Sequence, residues 1–486
     1  MLGWLSFIIC LGLSCWLIVK YYQTPSISKP YLILGFGIKL AFAISFILVF
    51  SYYFSDGILS GDSVRFLYDG NIINAIFYES PSDFFKLLLG LPPTQDVSLE
   101  LMQNTTVWSA GPSSDWFNDN RLIVKMNAII RFFSFGNIYV HALVFSFLSF
   151  TGIFLTYKAF QDFVARKVYF WFALICLPNL AFWSSSLLKE SILILGFGIW
   201  CWSVKKIFHQ PLKFIVWLFI AGVILVSNKP YAGLIIIIFT SFLLIGKLIK
   251  WSKKGLLILT GLSLMLLVVG FTMPNRFNLT DKISSKQNDL NNLAKGGIAF
   301  VTDSSFCVFP YYQLTNFELS ANDSIQVLAI TEGEYKLFGQ SEYQSFIIQP
   351  SRSKYSVYLV YAPSKSYHKP VLINHSSKQL LKNTFDAILN VFLKPFPSYK
   401  LERLLNFAAN ILLLLIIIIA FIKRRSLNKT ENYLVAALLF SAFLIALIIG
   451  WSVPIFGAIV RYKIPVELLL LILAFIIIKP KQNEIH

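Results

Sequence analysis

The chain has 486 residues, of which 56% are hydrophobic, 16% aromatic and only 14% charged, with a formal net charge of +18. A soluble domain carries about a quarter charged residues, and this chain has too few polar groups to cover its apolar surface, so a soluble globular protein is excluded. The basic residues fall in short clusters between apolar runs, which reads as membrane topology rather than nucleic-acid binding, and neither the five Cys nor the five His show disulfide or zinc spacing.

A transmembrane helix needs about 20 apolar residues, with ~17 as a lower limit. In chain order the candidates are approximately 2–20, 31–54, 137–158, 168–184, 188–204, 213–228, 231–247, 255–273, 406–422, 433–450 and 464–478. The first run, Leu2 to Ile18, lacks a basic start and a small-residue cleavage site, so it is expected to be retained as a span. The expectation is an all-α polytopic membrane protein with about 11 transmembrane helices. Every second connection is basic: Lys20 and Lys29; Lys158, Arg166 and Lys167; Lys205, Lys206 and Lys213; Lys247, Lys250, Lys253 and Lys254; Lys423, Arg424, Arg425 and Lys429; then Lys479 and Lys481. This pattern places the N-terminus outside and the C-terminus inside.

The domain reading follows: 1–54 as the first two spans, 55–136 as an extracytoplasmic loop, 137–273 as spans three to eight, 274–405 as a small β-rich extracytoplasmic insertion with an amphipathic end, and 406–486 as the last three spans and a cytoplasmic tail. In the first loop, 62–77 and 121–135 carry apolar residues at helical spacing and predict two helices lying in the membrane interface. Between them a loop holds Pro92-Pro93, Trp108, Gly111-Pro112 and Trp116. In the insertion, Ser324–Ile330, Tyr343–Ile348 and Tyr355–Tyr361 alternate as strands do.

The unusual residues sit on the outer face. Asp62 follows Ser60-Gly61 just past the second span. A carboxylate there can act as general base, hold a divalent cation, or cap the following helix. Asp56 and Asp69 are rivals for the catalytic role. Lys189, Lys229, Arg461 and Lys463 lie at outer span ends against the positive-inside tendency, and Arg65 sits beside Asp62. Charges near a membrane need partners. As a set these cations suit an anionic ligand such as phosphate, although Lys189 can equally pair with Glu190 or a loop acid. Lys39 stands near the middle of the second span, where a charge marks function or burial against a partner.

The extra N-terminal span, the span ending at Asp62, the outer loop with two interfacial helices and the Arg461-Tyr462 pair near an outer end resemble the GT-C superfamily of membrane glycosyltransferases, or a related wzy-type polysaccharide polymerase. The stretch Phe182-Trp183-Ser184-Ser185-Ser186-Leu187-Leu188-Lys189-Glu190 is similar to segments of membrane proteins from bacterial surface-polysaccharide clusters. The resemblance covers about 31–273 and 406–478, mainly as topology. It implies a multi-pass protein of the bacterial cytoplasmic membrane that transfers a sugar or oligosaccharide from a polyprenyl-phosphate-linked donor to a cell-envelope glycan or lipid acceptor. Asp62 or Asp69 would be catalytic, and Arg65, Lys189, Lys229, Arg461 and Tyr462 would hold the donor phosphate. The chain departs from the family pattern in two ways: Asp62 is followed by Ser63 rather than a second acid, and the middle insertion lies outside the usual core. A non-catalytic envelope-complex subunit and a polysaccharide transporter or flippase are the alternatives. There is no Walker motif, and no cytoplasmic connection is long enough for a nucleotide-binding domain.

Overall fold

A computed structural model describes residues 1–108, 118–248, 278–301, 306–310, 317–319, 324–327, 337–338, 354–361, 364–397 and 400–480. Apolar runs produce long helices, three of them with proline at their starts: α1 (Leu2–Tyr21), α2 (Lys29–Leu48), α7 (Ile138–Phe160), α10 (Lys189–Lys206), α11 (Pro211–Asn228) and α12 (Pro230–Leu248). Pro30, Pro211 and Pro230 begin or lie in first turns, where their missing N–H costs nothing. The last turn of α2 widens into a π-helical turn at Val49–Tyr53.

Between α2 and α7 lie α3 (Asp62–Glu79), α4 (Pro81–Leu89), α5 (Gln95–Asn104) and α6 (Arg121–Ser134). The stretch expected as a loop between two helices therefore holds two further helices, α4 and α5. Helices α3 and α6 pack through Phe66, Ile73, Ile76, Ile123, Val124 and Ala128, and Gly70 lets the backbone of α6 approach at Asn127.

The count of eleven spans is corrected. Among the described residues seven helices are long and apolar enough to cross a membrane, or eight if one bent pair counts as a span. That pair is α8 (Lys167–Cys176) and α9 (Pro178–Ser185), which meet at 57°. Proline removes a helix hydrogen bond and clashes with the preceding turn, so the run read as one straight helix breaks at Leu177-Pro178. Helix α10 is charged at both ends, by Lys189-Glu190 and Lys205-Lys206. The expected span at 255–273 lies outside the described residues.

Helix α13 (Leu279–Ala294) precedes a set of strands, and after them come α14 (Ser377–Lys382), α15 (Thr384–Phe392), α16 (Leu401–Ile422), α17 (Lys429–Ser452), α18 (Phe456–Tyr462) and α19 (Ile464–Ile477). Helix α19 has only 14 residues, about 21 Å at 1.5 Å per residue, and is buried on nearly all sides. A helix that is apolar all round belongs inside a bundle, and α19 forms its centre with α7 to α10 and α17. The outward faces of α1, α11 and α16 expose Ile8, Trp16, Phe219, Val223, Ile418 and Ile422, which suit lipid.

The 274–405 insertion is corrected in extent. Its flanks are helical, and strands occupy only part of 297–361. Six strands, β1 (Gly297–Val301), β2 (Phe306–Pro310), β3 (Phe317–Leu319), β4 (Ser324–Val327), β5 (Leu337–Phe338) and β6 (Lys354–Tyr361), run in the order β3-β4-β6-β1-β2-β5 with antiparallel pairing. The expected strand at 343–348 lies outside the described residues. The segment after β6 ties back to the bundle, where Tyr367 bridges Ile455 and His368 N donates to Pro454 O at 2.9 Å.

The basic connections gather at one end. Arg166 Nε donates to Lys479 O, Lys205 Nζ to Lys158 O, and Arg425 to the Phe163 and Ile476 carbonyls while pairing with Glu431 at 2.7 Å. Asp62, Lys189, Lys229 and Arg461 lie at the other end.

Candidate functional site

Asp62 is the first residue of α3. The preceding Gly61 is its N-cap and has φ +80, a left-handed conformation that favours glycine. The Asp62 side chain makes no capping hydrogen bond. It turns instead to Arg461, in the last turn of α18, which donates from Nη1 to Asp62 Oδ2 at 2.6 Å. Burial works to raise the Asp62 pKa, but the charge and hydrogen bond of Arg461, with the charges of Arg65 and Lys189, overcome it and hold the carboxyl at about 2. Asp62 is thus an anion at any physiological pH.

Arg461 also reaches Glu190 at the start of α10, with Nε 3.4 Å from Oε1. The same Oε1 accepts from Lys229 Nζ at 2.6 Å. Lys229 sits at the break between α11 and α12, where Pro230 restarts the chain as a helix. Its neighbour Asn228 donates to the Lys189 carbonyl at 2.6 Å, locking the break onto α10. Lys189 turns away from Glu190 and pairs with Asp119 at 2.8 Å and Asn120 Oδ1 at 3.0 Å. Burial raises the Asp119 pKa, and the Lys189 charge more than offsets this, so its carboxyl also lies below the usual range. Beneath the cluster the Tyr462 ring carries Lys229 at 4.3 Å and Arg461 at 5.1 Å from its centroid. Both contacts have the cation–π geometry.

The result is a chain of charges, Asp62–Arg461–Glu190–Lys229, with Lys189–Asp119 alongside. Four cations (Arg65, Lys189, Lys229, Arg461) act on three carboxylates (Asp62, Asp119, Glu190). The cluster is also incompletely bonded: Glu190 Oε2, Arg461 Nε, Asn228 Oδ1 and Tyr231 Oη are buried with no hydrogen-bond partner among the described residues. Buried polar atoms are nearly always satisfied, so donors and acceptors left open around one charged cluster mark room for a polar ligand or water.

Of the residues singled out in the sequence, Asp62, Arg65, Lys189, Lys229, Arg461 and Tyr462 come together here. Asp69 does not. It is fully buried, and its carboxylate accepts from Thr106 N at 2.7 Å, Thr106 Oγ1 at 3.0 Å, Val107 N at 2.7 Å and Trp108 N at 2.8 Å. That arrangement fastens the segment 106–108 to α3. Asp56 is exposed in the turn after α2. Lys463 joins a separate group, 3.4 Å from Glu467 and bonded to Asn410, with Asn179 donating to Glu467 at 2.9 Å. Asp119, Asn120, Asn228 and Tyr231 belong to the cluster without having been singled out.

Among the described residues no three His, Cys, Asp or Glu side chains converge as metal ligands, and each carboxylate of the cluster faces a cation instead. Comparison of the chain with family models, curated proteins and solved structures returns no match. The chain is a multi-pass, largely helical membrane protein whose charged cluster lies at the end opposite its basic connections.

Proposed function

We propose that the protein is a glycosyltransferase of the bacterial cytoplasmic membrane, moving a sugar or oligosaccharide from a polyprenyl-phosphate-linked donor to an envelope glycan or lipid acceptor on the outer face. The observation that supports this most is the Asp62–Arg461 pair, set beside Lys189, Lys229 and the unsatisfied polar atoms around Glu190. An ionised carboxylate here lies beside a guanidinium, a group suited to phosphate, at the end of apolar helices.

The donor phosphate would take up the open donors of the cluster, chiefly Arg461 and Tyr231, with Lys189, Lys229 and Arg65 adding charge. Arginine binds phosphate oxygens with paired, directed hydrogen bonds. The acceptor hydroxyl oxygen would attack the anomeric carbon as the bond from that carbon to the phosphate oxygen breaks. The leaving polyprenyl phosphate keeps the bonding electrons, stabilised by the cations. The hydroxyl proton passes to Asp62. At rest Asp62 is a weak base, because Arg461 stabilises its anion. When phosphate competes for Arg461 the pair loosens and the carboxylate becomes more basic, so donor binding itself would prepare the base.

The test is transfer from a lipid-linked sugar pool to envelope acceptor by purified protein in proteoliposomes, with Asp62→Asn and Arg461→Gln beside wild type. Transfer by wild type, with a loss of at least a hundredfold in both folded variants, is the expected result. Equal activity in Asp62→Asn would remove it as the base. Retained donor binding with no transfer by wild type under any donor would favour a non-catalytic envelope subunit. Joining of lipid-linked repeat units into chains, rather than single additions, would make the reaction a polymerisation.

A further inference from the structure

At the basic end, far from the charged cluster, α7, α10, α12, α17 and α19 enclose a cavity of about 330 Å³. Its walls are apolar, with Phe197, Ile236, Leu243, Leu438 and Leu469 among them, and its mouth carries Lys205, Lys247 and Thr430. The volume lies at the lower end of the range of small-molecule sites. A cavity with such walls is poorly suited to water and well suited to an apolar occupant.

Depth and charge identify that occupant. The lining runs along α12 from Ile236 to Lys247, which at 1.5 Å per residue is about 16 Å. Half of a ~30 Å hydrocarbon core, the thickness of one leaflet, is about 15 Å. The cavity thus accepts one acyl chain of a lipid whose headgroup stays at the basic surface. Around that surface Lys158, Lys205 and Lys206 surround the Trp202 ring at 4.6, 5.6 and 5.1 Å, and Lys247 lies 4.4 Å over Phe208. Lys205 is paired with Asp162 at 2.6 Å. Lys158, Lys206 and Lys247 have no carboxylate partner among the described residues. Basic pockets between helices on the cytoplasmic side are suited to anionic headgroups.

We propose that this cavity binds one anionic glycerophospholipid of the cytoplasmic leaflet, with an acyl chain between α10, α12 and α17 and its phosphate at Lys247 and Lys206. The site is independent of the transferase reading, since it lies at the opposite end of the bundle.

The experiment is native mass spectrometry of the full chain in mild detergent, titrated with phosphatidylglycerol, with phosphatidylcholine of the same chains, and with inorganic phosphate. Phosphatidylglycerol should be retained at least tenfold better than phosphatidylcholine. Lys206→Ala/Lys247→Ala should abolish that preference, and Leu243→Trp, or Thr240→Phe should the first fold poorly, should remove the bound lipid by filling the cavity. A control variant at the same end, Lys20→Ala, should behave as wild type. Equal retention of the two lipids, undiminished phosphatidylglycerol binding in both cavity-filling variants, or displacement of the lipid by inorganic phosphate would each overturn the proposal.

Discussion

Arg461 and Asp62 stand 399 positions apart in the chain and meet through an ion pair of 2.6 Å. The pair joins the short helix α18 to the first turn of α3, so the segment between α2 and α7 and the last third of the chain close on the same point. Its strength sets a pH dependence. The Asp62 carboxyl is held at about 2 against an ordinary 3.8 by Arg461, Arg65 and Lys189 working against burial. A carboxyl with a depressed folded-state pKa contributes stability that is fully present above its ordinary value and is lost as pH falls through the folded value. Thermal unfolding in detergent should therefore show wild type losing stability between about pH 4 and pH 2 in excess of Asp62→Asn. At neutral pH, with the Asp62 side chain 40% exposed, the substitution should cost less than about 1 kcal/mol. Parallel pH profiles for the two proteins would contradict the assignment.

Glu190 holds two cations with one oxygen, and both it and Lys229 are buried. Removing one member of a buried pair leaves an uncompensated charge and costs about 3–5 kcal/mol, whereas removing both costs far less. Glu190→Gln and Lys229→Met should each lower the unfolding temperature sharply, and the double variant should recover much of the loss. Additive effects in this double-mutant cycle would mean that the two residues do not interact.

The sequence made the cations of the cluster visible because a cation next to an apolar run stands out. Their pairing was hidden. Lys189 and Glu190 are adjacent, which suggests a local pair, but adjacent residues on a helix do not face each other. The structure accordingly sends Lys189 to Asp119 and Glu190 to Lys229 and Arg461. The span count failed for a similar reason. Hydropathy registers composition, but not the 57° bend at Pro178, nor the fact that a protein-enclosed helix such as α19 can stop at 14 residues. The capping reading of Asp62 failed because Gly61 supplies the left-handed turn that begins α3.

Asp69 offers a contrast with Asp62. Three backbone N–H groups and one hydroxyl of 106–108 point at its two oxygens. An asparagine has one acceptor oxygen, and its amide nitrogen would meet backbone donors. Asp69→Asn should cost about 3 kcal/mol and open the segment around Trp108 to protease. In the transfer assay, at a temperature where the variant stays folded, it should keep more than a tenth of wild-type activity. A loss equal to that of Asp62→Asn without added protease sensitivity would make Asp69 a participant in the chemistry.

Helices α7 and α10 touch backbone to backbone. A Cβ on Gly152 would overlap the Ile194 carbonyl, and one on Gly198 would overlap Gly152 itself. Small residues at such crossings allow the close packing that holds membrane helices together. Because the obstacle is backbone rather than a movable side chain, Gly152→Ala should destabilise by about 1–3 kcal/mol. Gly12→Ala, where a Cβ meets nothing within 4 Å, should have no comparable effect. Equal unfolding temperatures for the two variants would show that the crossing relaxes freely.

Lys39 lies within α2, fully buried, and donates to Ser184 Oγ at 2.7 Å. Ser149 Oγ is 3.4 Å from the same hydroxyl, and Ser184 in turn bonds to the Leu180 carbonyl. No carboxylate pairs with Lys39 among the described residues. A buried ammonium with one neutral partner is costly, and an apolar side chain of similar length avoids that cost. If Lys39 only fills space at the bent α8–α9 pair, Lys39→Met should keep or raise the unfolding temperature and leave transfer unchanged within threefold. Ser184→Ala, which strips the amine of its partner, should cost about 1–3 kcal/mol, and adding Lys39→Met should restore the loss. A stable Lys39→Met protein without transfer would instead assign Lys39 a functional role, since an intramembrane charge retained against its own cost is retained for its chemistry.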